Sequence, residues 1–320
     1  MRTLTITFLT AIALVMALTA MPAAARPLGH NGQIVFGRDD PLVGDTVIYT
    51  VNPDGSHERQ VLAVGLEFPH WSHDGGAIVA DASGAGDAAW IVAPDTGTYR
   101  ALPMPDPDNY DVMACSAPTP DFKRLACAGF GKTDPSLNGI YTVRTSDGRG
   151  LRRLTSNTNE DSPGDYSPDG RRLVYSHFPD DFDRAGLYVL KINDTRAGKI
   201  APCCTSPGSW SPKGNQIVFS KRPSFEVHST IWVVHSDGSG LRQIPVTGCG
   251  GPTADPNARG CADPAWSPDG KKIVFRLTTP GFGEGGDLYT INAHGTDLTQ
   301  VTHDGDVEFP DWGTHPLATG

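Results

Sequence analysis

The chain has 320 residues, of which 37 are glycine and 27 are proline, and only 19% are charged. This composition is typical of many short strands joined by tight turns, and it disfavours a largely helical fold. The formal net charge is -10 at pH 7. Because phosphate binding requires a basic surface, we do not expect this chain to bind nucleic acid.

The first 25 residues have the features of a secretory signal peptide. Arg2 supplies the positive end, residues 4–20 form an apolar run, and residues 23–25 are three alanines that offer a cleavage site. An uncleaved membrane anchor is the alternative, but the run is short for one. We expect residues 26–320 to be exported to the periplasm, the cell envelope or the outside of the cell, with no further transmembrane segment.

A turn of the form Ser-Pro-Asp-Gly returns about every 50 residues, flanked by apolar residues. The copies lie at residues 73–75, 120–122, 168–170, 212–214 and 268–270. Proline presets the φ angle of the turn and glycine adopts the positive φ that closes it, so each copy predicts a β-hairpin. The copy with Phe122 is the weakest, because phenylalanine disfavours a positive φ. This period predicts modules of about four strands, as in a β-propeller.

A second series of strands and turns confirms the period and predicts how the ring closes. It occurs six times, at residues 47–55, 89–97, 140–148, 187–195, 231–238 and 288–295. Only five first hairpins are complete, and the halves of the sixth lie at residues 31–36 and 307–312. We therefore predict an all-β, six-bladed propeller over about residues 30–313, in which the C-terminal strand pairs into the N-terminal blade and removes the exposed sheet edges.

An aromatic residue precedes most of the first turns, and we expect it to pack between blades. The positions are Trp71, Tyr166, Trp210, Trp266 and Trp312. The repeats, with W-S-P-D-G-x-x-I-x-F followed by D-L-Y, resemble the propeller repeats of TolB-type proteins. The resemblance covers essentially the whole mature chain. It implies a periplasmic partner-binding propeller, here without the α/β domain of TolB or the catalytic domain that related propellers carry in prolyl peptidases.

Carboxylates stand just before the predicted inner strands, which should bring them together at one mouth of the central channel. They are Glu67, Asp111, Asp161, Asp263 and Glu308. Like charges held close need water, a cation or a basic ligand group to offset them. We select Glu67, Asp161, Asp263 and Glu308 as ligand-binding candidates. Local hydrogen bonds are the alternative. We expect no cofactor, although a calcium ion would find oxygen ligands here.

The loops on the same rim are acidic and carry interleaved phenylalanines. Phe178, Phe182, Phe225 and Phe282 are the candidate apolar anchors for a protein or peptide partner. The alternative is that these loops carry ordinary solvated charge.

The six cysteines all lie after the signal segment, and an even number in an exported chain indicates disulfides. Cys115 with Cys127 and Cys249 with Cys261 are the candidate pairs. Cys203 and Cys204 would then form a vicinal pair or exchange with the previous pair, and the sequence leaves the connectivity open.

No G-x-S-x-G or H-E-x-x-H motif occurs, so catalysis has little support in the sequence. We expect a monomeric, non-catalytic scaffold that binds a protein or peptide. The alternative is a small-molecule or metal-dependent enzyme, of lyase or hydrolase type, with its site at the channel mouth.

Overall fold

The structure is a computed structural model that describes residues 29–319, except for residues 83, 85, 156–159, 180–184, 195, 203–205, 223, 225 and 281–284. The described residues form 24 strands and a short 3-10 helix, Pro135–Leu137. The strands form six four-stranded antiparallel sheets, which we number blade 1 to blade 6 along the chain. Within this part of the chain, no helix is both long and apolar enough to cross a bilayer.

The first three blades use the first eleven strands and the last one. Blade 1 contains β1 (Ile34–Asp40), β2 (Asp45–Val51), β3 (Arg59–Leu62) and β24 (Val307–Trp312). Blade 2 contains β4 (Glu67–Trp71), β5 (Ile78–Asp81), β6 (Asp87–Val92) and β7 (Tyr99–Pro103). Blade 3 contains β8 (Tyr110–Pro118), β9 (Arg124–Gly131), β10 (Gly139–Arg144) and β11 (Arg152–Arg153).

The other three blades follow in chain order. Blade 4 contains β12 (Glu160–Tyr166), β13 (Arg172–Phe178), β14 (Gly186–Lys191) and β15 (Ala197–Pro202). Blade 5 contains β16 (Ser209–Trp210), β17 (Gln216–Lys221), β18 (Thr230–His235) and β19 (Arg242–Gln243). Blade 6 contains β20 (Cys261–Trp266), β21 (Lys272–Thr278), β22 (Gly286–Asn292) and β23 (Thr299–Gln300).

Each residue of the repeated turn has a role in forming the hairpin. In blade 6, the Gly270 amide donates to the Ser267 carbonyl at 2.8 Å, and Gly270 has a φ of 70°. The Ser267 hydroxyl donates to Asp269 at 2.7 Å and accepts from the Lys272 amide at 2.9 Å. Phe122 adopts the same conformation, with a φ of 55°, so the weakest copy of the repeat forms the turn as well. A side chain in this region costs roughly 1–2 kcal/mol relative to glycine.

The inner strands form a closed ring, as predicted. They contact one another in the order β24, β4, β8, β12, β16, β20 and again β24. The closure is made by β24, which pairs antiparallel with β1 and places Ile34 opposite Trp312 and Arg38 opposite Val307. The two ends of the propeller therefore belong to one sheet, and the prediction of a six-bladed ring closed by the C-terminal strand is confirmed.

The recurrent aromatic residues fill the spaces between blades. All five are at most 5% exposed. Trp266 of blade 6 packs in one cluster with Val218 of blade 5, and Trp312 of blade 1 packs with Val274 of blade 6. Because a sheet face is covered by its neighbour on each side, removal of one such side chain opens a cavity between two blades.

The residues after β24 hold blades 1 and 2 together, which the sequence analysis did not anticipate. The His315 ring stacks on Trp71, with ring centroids 5.1 Å apart and planes 10° apart. Its Nδ1 lies 2.9 Å from the carbonyl oxygen of Gly75 in blade 2. Its backbone carbonyl accepts from the Gln33 amide of blade 1 at 3.0 Å. This C-terminal tail, residues 313–319, thus reinforces the closure.

Both predicted disulfide pairs are present. Cys115 and Cys127 stand opposite each other on β8 and β9 inside blade 3. The bond between Cys249 and Cys261 joins the loop after blade 5 to the inner strand of blade 6. Cys203 and Cys204 lie outside the described residues.

Deletion of residues 309–320 removes most of β24 and the C-terminal tail, so we expect a large loss of stability. The single change Trp312→Ala should lower the free energy of unfolding by about 3–5 kcal/mol, and the deletion by at least as much. Leu317→Ala is the control, since Leu317 is 48% exposed in the tail and its truncation should stay within about 0.5 kcal/mol. Urea unfolding measures all three variants, and a deleted chain as stable as the full one would contradict the closure.

Candidate functional site

The six inner strands surround a central cavity of about 390 Å³. Its lining is largely apolar and includes all five recurrent aromatic residues. At one end stand the prolines of the first turns, Pro168, Pro212 and Pro268. At the other end, which we call the mouth, stand Phe68, Phe178 and Phe309. A volume of this size is typical of a pocket that holds a ligand or a side chain of a partner.

Register shifts in most of the inner strands set the positions of the polar groups. The register shifts between Glu67 and His70 in β4 and between Ala262 and Ala265 in β20. A shift also occurs between Pro163 and Tyr166 in β12, and β24 has one opposite β1. Such bulges change the direction in which neighbouring side chains point. They divide the cavity-lining residues into two sets, which we call the mouth tier and the inner tier.

The mouth tier consists of Phe68, Asp263 and Phe309, each three positions before a recurrent tryptophan. All three have left-handed backbone conformations, with φ angles of 48°, 52° and 48°. They belong to three consecutive inner strands, and the rings of Phe68 and Phe309 are 4.1 Å apart between centroids. Left-handed phenylalanine is uncommon and strained, and such strain concentrates at functional sites.

Arg276 partly neutralises the carboxylates of the mouth. Its guanidinium lies 3.1 Å from Asp263 and 3.1 Å from Glu308. Burial raises the pKa of Asp263, although Arg276 opposes the change. Burial also raises the pKa of Glu308, again against Arg276, with smaller contributions from Asp39, Asp263 and Glu67. Glu67 is exposed at the beginning of β4. Three of the predicted carboxylates are thus close enough to affect one another.

The other predicted residues have different surroundings. Asp161 is 2% exposed and lies 2.6 Å from His177 Nδ1, and it accepts from the Thr155 hydroxyl at 2.9 Å. This is the local hydrogen bonding that the sequence analysis gave as the alternative. Asp111 is exposed on β8. Phe178 is 37% exposed at the end of β13, while Phe182, Phe225 and Phe282 lie outside the described residues.

The inner tier consists of His70, Asp165, Ser209 and Asp311, each immediately before a recurrent aromatic residue. Asp311 of blade 1 accepts from the Trp71 amide of blade 2 at 2.8 Å and lies 3.7 Å from His70 Nδ1. Asp165 of blade 4 accepts from the Trp210 amide of blade 5 at 3.1 Å. Each carboxylate therefore connects two neighbouring blades.

The inner tier is electrostatically coupled. Burial and the charge of Asp311 raise the pKa of Asp165 to about 7. Burial opposes ionisation of Asp311 as well, but the hydrogen bond and charge of His70 outweigh it and lower the pKa of Asp311. Burial lowers the pKa of His70, yet Asp311 outweighs this effect, and the net shift is upward. The pKa shifts of His70 and Asp311 both favour the charged form of the pair, which stands beside a carboxyl group that ionises near neutral pH.

His70, Asp165 and Asp311 were not among the residues selected from the sequence. A signal for them exists, because alignment of the copies on the recurrent aromatic residue gives one column with His70, Asp165, Ser209, Ala265 and Asp311. Across the described residues, no three His, Cys, Asp or Glu side chains are grouped in a way that would hold a metal ion.

Comparison with known proteins finds solved structures of similar fold but no matching sequence family. No protein-family model and no curated protein sequence matches this chain. The crystal structure of TolB from Acinetobacter baumannii has 17% sequence identity over 88% of this chain and 66% of its own, with a TM-score of 0.66. A putative TolB from Agrobacterium tumefaciens has 16% identity over 89% of this chain and 99% of its own, with a TM-score of 0.65.

An enzyme of similar architecture is an oligogalacturonate lyase in complex with manganese. It has 15% identity over 85% of this chain and 74% of its own, with a TM-score of 0.56. At these identities the similarity establishes the fold. The predicted resemblance to TolB-type propellers is confirmed at that level.

Asp165→Asn should stabilise the protein at alkaline pH. The folded protein retains the Asp165 proton up to about pH 7, whereas an unfolded chain releases it near pH 4. Ionisation therefore reduces stability as the pH rises between these values, and the full reduction is present above pH 7. The free energy of unfolding of the variant should exceed that of the wild type by up to about 4 kcal/mol at pH 8 and should equal it at pH 4.

Urea unfolding at the two pH values measures this difference. Asp108→Asn is the control, because Asp108 is exposed between β7 and β8, and its pH profile should match that of the wild type. An Asp165→Asn variant with the wild-type profile would contradict the described electrostatics.

Proposed function

We propose that this protein is an exported, monomeric and non-catalytic propeller that binds a protein or peptide partner at the mouth of its central cavity, without a cofactor. The observation that carries the proposal is the mouth tier. Phe68 and Phe309 form a partly exposed aromatic pair at the entrance of an apolar cavity, on backbone that is strained in both. Aromatic side chains beside a pocket are typical centres of protein interfaces, and retained strain favours a functional role.

The charge of the mouth supports a basic partner. Glu67, Asp263 and Glu308 stand around the phenylalanine pair, and Arg276 supplies one positive charge for two of them. The whole chain is acidic, with a net charge of -10. Acidic surfaces accelerate the approach of basic partners and reject acidic ones.

Export is supported by two independent features. The sequence begins with a signal-peptide pattern, and the folded chain contains two disulfides, which persist in oxidising compartments. The resemblance to TolB-type propellers favours the periplasm or cell envelope over the outside of the cell.

The alternative proposal is an enzyme whose site is the same cavity. The His70–Asp311 pair would provide an acid–base group, and a propeller of similar fold is the oligogalacturonate lyase. The binding role is favoured because Phe68 and Phe309, which carry no reactive group, are more strained in the left-handed region than Asp263, whose side chain tolerates it better.

Replacement of the aromatic pair should abolish partner capture while preserving the fold. In Phe68→Asn/Phe309→Asn, the new side chains tolerate left-handed backbone better than most but offer no apolar contact. We expect the mature wild-type chain to retain an envelope protein from cell-envelope extract. The double variant should retain at least about tenfold less of that protein.

Leu298→Ala is the matched control. Leu298 is 38% exposed in the turn between β22 and β23, at the end of blade 6 that lies opposite the mouth, so its loss removes exposed apolar surface away from the proposed site. Capture should be unchanged in this variant. Equal capture by the double variant and the wild type would refute the proposed site.

A further inference from the structure

We propose that the inner tier receives one positively charged side chain, a lysine or an arginine, from the partner that is bound at the mouth. This inference rests on the proposed function, because the basic side chain enters the cavity from a partner held by the mouth tier. It names the chemical feature that the partner must present.

The first argument is a comparison of the carboxylates around the cavity. Asp263 and Glu308 share Arg276, and Asp311 pairs with His70. Asp165 accepts hydrogen bonds from the backbone amides of Trp210 and Tyr166. Within the described residues it forms no ion pair, so it differs from the other carboxylates that face the cavity. An ionised carboxylate in a largely apolar cavity is unfavourable when no cation is paired with it, and a cationic ligand group would remove that penalty.

The second argument is the arrangement of charge across the ring. β12 is three positions from β24 in the order of inner strands, so Asp165 and Asp311 stand on opposite sides of the cavity. Ser209 and Ala265 occupy the equivalent positions of blades 5 and 6 and carry no charge. With His70 protonated and paired to Asp311, ionisation of Asp165 leaves the tier with one unbalanced negative charge. One positive group, placed between the two carboxylates, neutralises it.

The third argument is the shape and chemistry of the cavity. A lysine or arginine side chain has an apolar stem and a charged end. The lining offers Phe68 and Phe309 at the entrance and Trp71 and Trp312 farther in. Aromatic rings favour both the stem and, by cation–π attraction, the charged end. The described residues provide no grouped metal ligands, so an organic cation matches the cavity better than a metal ion.

Peptide selection tests the inference without knowledge of the natural partner. A display library of random seven-residue peptides is selected on the immobilised mature wild-type chain, and peptides that also bind Phe68→Asn/Phe309→Asn are discarded. We expect the remaining peptides to share lysine or arginine at one position. The Kd of one such peptide is then measured by calorimetry, together with that of its analogue with uncharged norleucine at the shared position.

Asp165→Asn should raise the Kd of the basic peptide at least about tenfold, as expected when one partner of a desolvated charge pair is removed. The norleucine analogue should bind the wild type and Asp165→Asn with similar Kd values. Asp108→Asn, which changes an exposed carboxylate, should leave both Kd values unchanged.

The outcomes separate the two proposals. Selected peptides without a shared basic position, or a basic peptide whose Kd is insensitive to Asp165→Asn, would overturn the inference and leave the binding site at the mouth intact. If every selected peptide also binds the double phenylalanine variant, the proposed function fails, and the inference fails with it.

Discussion

The pairing of β24 with β1 is the constraint on which the rest of the molecule depends. It joins the first and the last strand of the propeller in one sheet and gives blade 1 its innermost strand. Ring closure forces six inner strands to face a common axis, because each is packed between two neighbours. This arrangement creates the cavity and its mouth, and it places Asp165 and Asp311 on opposite sides of the cavity. The C-terminal tail strengthens it through His315, which packs on blade 2.

The inner tier combines structural and functional roles in the same side chains. Asp165 and Asp311 each accept a backbone amide of the next blade, which helps to hold the ring. The same groups bring negative charge into a cavity with a largely apolar lining, where charge is unfavourable without a partner. Stability and ligand affinity are therefore expected to oppose each other at Asp165. Such opposition is common where a binding site retains a strained or unsatisfied group.

Local sequence was sufficient for the parts of the fold that local chemistry determines. The turn at Ser267 to Gly270 and the burial of Trp266 followed from residue types alone, whereas the two cysteine pairs were candidates whose connectivity the sequence left open. The half-blades at the two ends predicted the closure. Left-handed Phe68 and Phe309 could not be predicted, because isolated phenylalanine avoids that conformation and only the surrounding bulges impose it. Asp165 and Asp311 were missed because their importance arises from strands that are distant in sequence. Phe182, Phe225 and Phe282 remain predictions.

Native-state amide hydrogen exchange across the closing sheet tests the closure most directly. If β24 is an integral part of the ring, the amides of β1 and β24 exchange only when the whole protein unfolds. Their exchange free energies should then equal those of β21 in blade 6 and follow the global free energy of unfolding as urea is added. Exchange in β24 that is several kcal/mol easier than in β21, and insensitive to urea, would show that the strand opens alone and that the ring does not depend on it.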